Sequence, residues 1–258
     1  TLDISITLLY IILCNKCCQK AWSWQLRGGR MQKKRRLVWA LALDGHGVVY
    51  RRKREVVDAV VEALAEEGLI FSKEEARSLY LKLQEQTFAG VLSYGGMVKE
   101  LHHQLGLGSR VSPAHLDQLI QKFSAEIQVD PDLSCTLREI RSRGVRVGML
   151  TNSIHPAKVK AQWLKTAGVD DLFDLLLSSV EEHCKKPSPE FFQRFALRLA
   201  LPSEHVAFLG HDQEEIEGAR EAGLVNIALA CLLASADFHI QRFGELIELP
   251  IWPERKGA

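Results

Sequence analysis

The chain has 258 residues, 47% hydrophobic and 25% charged, enough for one large α/β-sized core or a core with a subdomain. Its 33 basic and 32 acidic residues nearly cancel, so no strong field points to nucleic acid or an anionic membrane as a partner. The six cysteines are scattered, which argues against a disulfide framework, and the Cys14–Cys17 pair lacks the second pair that a zinc site needs.

The first thirty residues differ from the rest. Ile6 to Cys14 is apolar apart from Thr7, too short to span a bilayer, and without the basic flank or cleavage site of a signal peptide. Met31 stands just before the first strong strand, so the expectation is that the natural chain starts there and that residues 1–36 are an extension outside the fold. The basic clusters Lys33–Arg36 and Arg51–Arg54 read as solvated flanks of the first strand and its loop. A cytoplasmic protein is expected.

Leu37 to Leu43 is a continuous apolar run ending in Asp44-Gly45-His46-Gly47, the pattern of a buried parallel strand feeding a loop. Helical spacing follows: Val56, Val57, Val60, Val61 and Leu64, then a helix capped by Ser72 with Glu75 three residues on, then Val98 to Leu105 and Pro113 to Glu126. Beyond these, strands and helices alternate. Helices are predicted at Leu133–Ser142, Ala157–Ala167, Pro189–Leu199 and Glu214–Ala222. Strands are predicted at Val145–Leu150, Phe173–Leu177, Val206–Leu209 and Val225–Ala230. The alternation predicts an α/β fold, a Rossmann-like parallel sheet core formed by residues 37–52 and 131–258 with an inserted α-helical cap over 53–130. The strand from Leu37 should lie between those at Val145 and Val206.

In an open parallel sheet, ligands bind at the carboxyl ends of the strands. Asp44 and His46 follow the first strand, Thr151 and Asn152 the second, and His211 and Asp212 the strand at Val206; Lys186 precedes Pro187 in another loop. A carboxylate can attack phosphorus or carbon and leave an acyl intermediate for water to hydrolyse, and phosphoryl transfer needs cations to offset the charge. The histidines His102, His103, His155 and His183 read as surface residues. Trp22, Trp24, Trp39, Trp163 and Trp252 read as core or tail anchors.

Four segments in order, LVWALALDGHGVVY, VGMLTNS, KKPSPEFF and FLGHDQEEIEGAREAG, resemble the four motifs of the haloacid dehalogenase superfamily, over about residues 37–230. The resemblance implies a hydrolase with Asp44 as nucleophile. It places His46 at the acid–base position, Thr151 on the transferred group and Lys186 as the charge-neutralising cation. Asn152 and Gly47 would flank the substrate. A divalent metal, magnesium by resemblance, would be held by Asp44, His211, Asp212 and Glu215, although His211 stands where the family keeps an Asp and imidazole suits magnesium poorly. Three functions stay open. The first is hydrolysis of a small organic substrate, expected to be a phosphate monoester. The second is a non-catalytic protein that binds a phosphorylated ligand or a protein partner. The third is metal-independent carbon–halogen hydrolysis. The sequence leaves oligomeric state open.

Overall fold

The computed structural model describes residues 22–27, 30–35 and 37–255. The apolar stretch Ile6–Cys14 and the Cys14–Cys17 pair lie outside them. Strands β1 (Trp22–Arg27) and β2 (Arg30–Arg35), the second containing Met31, form an antiparallel hairpin separate from the main sheet.

The main sheet has six parallel strands. β3 (Ala40–Asp44) lies in its middle, between β6 (Arg146–Thr151) and β8 (Val206–Gly210). β7 (Leu175–Ser178) extends one side, and β9 (Val225–Leu229) with β10 (Phe238–Ile240) extends the other. Every residue of β3, β8 and β9 is buried, which explains unbroken apolar runs in place of alternation. Helices α5 (Leu133–Ser142), α6 (Ala157–Thr166), α8 (Pro189–Arg198) and α9 (Gln213–Glu221) connect the strands, and a one-turn helix α7 (Ser179–Glu182) follows β7. One apolar cluster centres on Leu41, Leu43, Val147 and Leu209, and another on Ala42, Phe191, Phe195 and Phe208. Alternate residues of β3 thus feed the two faces of the sheet.

Between β3 and α5 the chain builds four helices: α1 (Val56–Glu66), α2 (Lys73–Phe88), α3 (Tyr94–Gln104) and α4 (Pro113–Ser124). Their starts are written locally. Ser72, Ser93 and Ser112 each accept a hydrogen bond from the backbone N–H three residues on, at 3.1–3.2 Å, and Pro113 opens α4. The helices bury Leu64, Met97, Leu101, Leu116 and Ile120 against one another, with Ile154 joining from the loop after β6. Two short strands, β4 (Tyr50–Arg52) and β5 (Ile127–Val129), pair antiparallel where the chain enters and leaves this lobe.

Three local expectations need correction. Ile127–Val129 is a strand, because it has Tyr50–Arg52 to pair with. The helix expected from Val98 begins at Tyr94, because Ser93 caps it a turn earlier. Strand β10 was not predicted at all, since its three residues carry no period by themselves.

Candidate active site

Asp44 ends the central strand, and the chain turns sharply behind it. Tyr50 N–H donates to the Gly45 carbonyl at 3.0 Å, and Gly47 N–H to the Tyr50 carbonyl at 2.8 Å. Gly47 has φ +92°, and a Cβ there would stand 2.5 Å from the His211 ring, so this position requires glycine on both counts. Asp44 is 6% exposed.

A cation meets it there. The Lys186 ammonium, its side chain 1% exposed, donates to Asp44 Oδ1, and to Glu215 Oε2 at 2.8 Å. Two carboxylates thus hold one buried ammonium, a geometry in which charge is compensated rather than stranded. Burial alone would lower the Lys186 pKa, but Asp44 and Glu215 outweigh it and hold it above the ordinary lysine value. Burial likewise pushes Asp44 up, and Lys186, with help from His211, brings it below the usual carboxylate range. Glu215 goes the other way: burial dominates and raises it. His211 Nδ1 lies 3.4 Å from Asp44 Oδ2, and the hydrogen bond to that carboxylate raises the imidazole pKa above 6.5 against the effect of burial.

Lys186 is aimed by its backbone. Asn152 accepts from Lys186 N–H at 2.9 Å and donates to the Lys186 carbonyl at 3.0 Å, so the loop after β6 clamps the lysine loop. On the other side, a Cβ at Gly218 in α9 would fall 1.8 Å from the Pro187 carbonyl oxygen. The neighbouring Lys185 points elsewhere, to Glu85 in α2. Thr151 is buried beside the turn at Gly45, and its hydroxyl donates to the Asn152 carbonyl at 3.3 Å.

The four residues to which the resemblance assigned a metal are otherwise engaged. Asp44 and Glu215 share the Lys186 ammonium. Asp212 caps α9, its Oδ1 accepting from Glu215 N–H at 3.1 Å. His211 offers nitrogen. Among the described residues no group of three or more His, Cys, Asp or Glu stands together as a metal site requires. Magnesium demands near-octahedral oxygen, so the residues present do not fit it.

His46 is exposed and lines a cavity of about 220 Å³ that opens beside the Asp44 turn, between the sheet and the helical lobe. Partial desolvation of its ring against the cavity wall, followed by the charge of Arg52, lowers its pKa. The same cavity contains residues that sequence reasoning passed over. Lys160, 3% exposed, donates to the Tyr50 hydroxyl at 2.7 Å and lies 4.3 Å from the centre of the Trp163 ring. His155, expected at the surface, is 4% exposed. It packs between Tyr94 and Trp163, and burial pushes its pKa down to about 3. The sequence signal that could have flagged Lys160 is its position on the inward face of α6, three residues before Trp163 and four before Leu164.

Comparisons with known proteins place the chain among relatives. The family model for haloacid dehalogenase-like hydrolases matches residues 40–223. A phosphatase of Mycobacterium tuberculosis is 33% identical over 128 residues, 49% of this chain and 57% of that protein. A glyceraldehyde 3-phosphate phosphatase of Methanopyrus kandleri is 28% identical over 200 residues, 69% of this chain and 74% of that protein. The chain therefore spans less than two thirds of the first of these relatives. Among solved structures, the L-2-haloacid dehalogenase of Xanthobacter autotrophicus superposes with a TM-score of 0.63 at 18% identity, covering 82% of this chain and 98% of that one. At that identity the likeness establishes the fold alone. A central strand ending in a buried Asp–Lys pair and a family match across residues 40–223 together place the chain in the haloacid dehalogenase-like hydrolase family.

Proposed function

We propose that the chain hydrolyses a small phosphate monoester through an aspartyl intermediate. The observation that carries this reading is the Asp44–Lys186 pair: a buried, ionised carboxylate at the end of the central strand, with an ammonium fixed on one of its oxygens. Curated relatives at 28–33% identity are phosphatases, which supports phosphorus over carbon as the centre attacked. Asp44 attacks the phosphorus, the bond to the leaving oxygen breaks, and that oxygen takes a proton delivered from the solvent side, where His46 sits. An acyl phosphate remains on Asp44. Water then attacks the phosphorus of this intermediate while neutral His46 takes its proton, releasing inorganic phosphate and the free carboxylate. Lys186 and protonated His211 offset the charge that gathers around Asp44 and the phosphoryl oxygens. Residues 53–130 act as the cap that covers the organic part of the substrate.

A second reading, metal-independent carbon–halogen hydrolysis, is favoured by one observation: two side-chain cations, Lys186 and His211, stand against the two oxygens of Asp44. One assay separates the two. Phosphate release from a panel of monoesters and halide release from 2-chloropropionate are measured with and without added Mg²⁺. Phosphate release is expected, and Asp44→Asn should lower it by about a thousandfold or more. Halide release alone selects the second reading, and turnover retained in Asp44→Asn rules out the covalent route.

A further inference from the structure

The cavity beside the nucleophile contains an unusual electrostatic arrangement. Lys160 is 97% buried, yet its hydrogen-bond partner is the hydroxyl of Tyr50 and not a carboxylate. Its ammonium stands over two aromatic rings, 4.3 Å from the centre of Trp163 and 5.2 Å from that of Tyr50. Arg52 faces the same rings at 5.6 and 5.4 Å. Among the described residues no carboxylate forms an ion pair with either cation. Burial lowers the Lys160 pKa most and the repulsion of Arg52 adds to it, while the Tyr50 hydroxyl, its own pKa lowered by the two cations, opposes the shift and Asp44 opposes it weakly. A buried cation without an anion is a costly arrangement, and ring faces recover only part of the lost hydration.

We propose that Lys160, Arg52 and the Tyr50 hydroxyl form an anion subsite that holds a carboxylate on the organic part of the substrate. Two basic side chains and the Tyr50 hydroxyl face the cavity together, and its rim carries one acid, Glu55. The hydrogen-bonding capacity fits as well. Arg52 spends Nε on the Ser124 carbonyl at 3.2 Å, which leaves its terminal amines for one carboxylate oxygen, while the Lys160 ammonium has protons left for the other. Apolar side chains of Val56, Phe88 and Ile154 and the polar groups of Gln84 and Asn152 share the rest of the wall, and about 220 Å³ limits the organic part to a few carbons. The cavity is also lined by His46 and Asn152, which follow Asp44 and Thr151 in the loops at the strand ends. Lys160 is thus a specificity-determining residue, and the inference rests on the hydrolase reading above.

The test is equilibrium binding by calorimetry to full-length Asp44→Asn protein, which leaves the ligand intact. The ligands are 2-phospholactate; isopropyl phosphate, which has methyl in place of the carboxylate; and propane-1,2-diol bisphosphate, which has a second phosphate there. 2-Phospholactate is expected to bind at least about tenfold more tightly than isopropyl phosphate, as one charge-assisted contact allows. Adding Lys160→Met should bring that ratio close to one. Equal binding of the two in the parent protein overturns the subsite without reference to any second variant. A ratio unchanged by Lys160→Met removes Lys160 from it, and tighter binding of the bisphosphate overturns the assignment to a carboxylate. Turnover by the unsubstituted protein separates this from the parent reading. Phosphoesters hydrolysed without discrimination sink the subsite alone, whereas ligand preference without any hydrolysis sinks the catalytic reading alone.

Discussion

Asp44 has two cations on it, and they differ in kind. Lys186 is buried and permanent, while His211 is 43% exposed and titrates. The imidazole has its pKa raised by Asp44, so its stabilising interaction is fully present below pH 6.5 and is lost as pH rises through its higher folded value. His46 is displaced the opposite way, so it stays neutral and able to accept a proton somewhat below pH 6.5. The pH profile of kcat, where hydrolysis of the intermediate limits turnover, should therefore form a plateau that spans 6.5, with the acid limb from His46 and the alkaline limb from His211. An acid limb centred above 6.5 would remove His46 from the role of base. A substitution at His211 tests the poor fit to magnesium. In place of imidazole, His211→Asp would put a second carboxylate oxygen next to Asp44, and Mg²⁺ discriminates strongly for anionic oxygen. Calorimetry should show Mg²⁺ binding at least about tenfold more tightly by the variant than by the wild-type protein. Equal, tight binding by both would mean that Glu215 leaves Lys186 to serve the ion.

At the scale of elements, the site depends on two loops being pressed together. The Lys186–Pro187 segment is clamped from one side by Asn152 and touched from the other by α9, which approaches so closely that Gly218 has no room for a Cβ. Gly218→Ala must push α9 or the Pro187 backbone aside, and backbone cannot rotate out of the way as a side chain can. Overpacking of this kind costs about 1–3 kcal/mol. The expected result is a lowered Tm together with a loss of turnover, because the displaced loop carries Lys186. A variant with a lowered Tm and full activity would show that α9 moves and the lysine loop does not. Within α9 itself the local code is plain: Asp212 caps the first turn, and Ile216 and Ala219 face the sheet. The helix is legible from its own residues, but its distance from the lysine loop is not.

Over the whole molecule, motif order is readable in the chain itself. Continuous apolar runs marked buried parallel strands, polar residues just past their ends marked the catalytic edge, and the first strand was expected between those starting near Val145 and Val206, where β3 lies. Those signals are local: each needs only a strand, the loop that follows it and the rule that parallel sheets bind ligands at one edge. What tertiary structure decided is what distant segments do to each other. Tyr50 and Lys160 are 110 positions apart and meet through a hydrogen bond, and Arg52 reaches Ser124 across 72. No period or spacing in the chain encodes such a pair. His155 looked like a surface residue because nothing near it in sequence covers it; Tyr94 of the helical lobe and Trp163 of α6 do. The pairing of β4 with β5 and the edge strand β10 are likewise invisible in three-residue segments, whose conformation is set by the partner and not by their own composition. The sequence by itself determined the class of fold and which side chains stand at the ends of its strands, because hydrophobic periodicity and loop chemistry act over a few residues. The folded chain alone decided that Lys186 bridges Asp44 and Glu215 and that two further cations face a cavity where, among the described residues, no acid forms an ion pair with them. Burial and charge compensation depend on which distant surfaces come into contact.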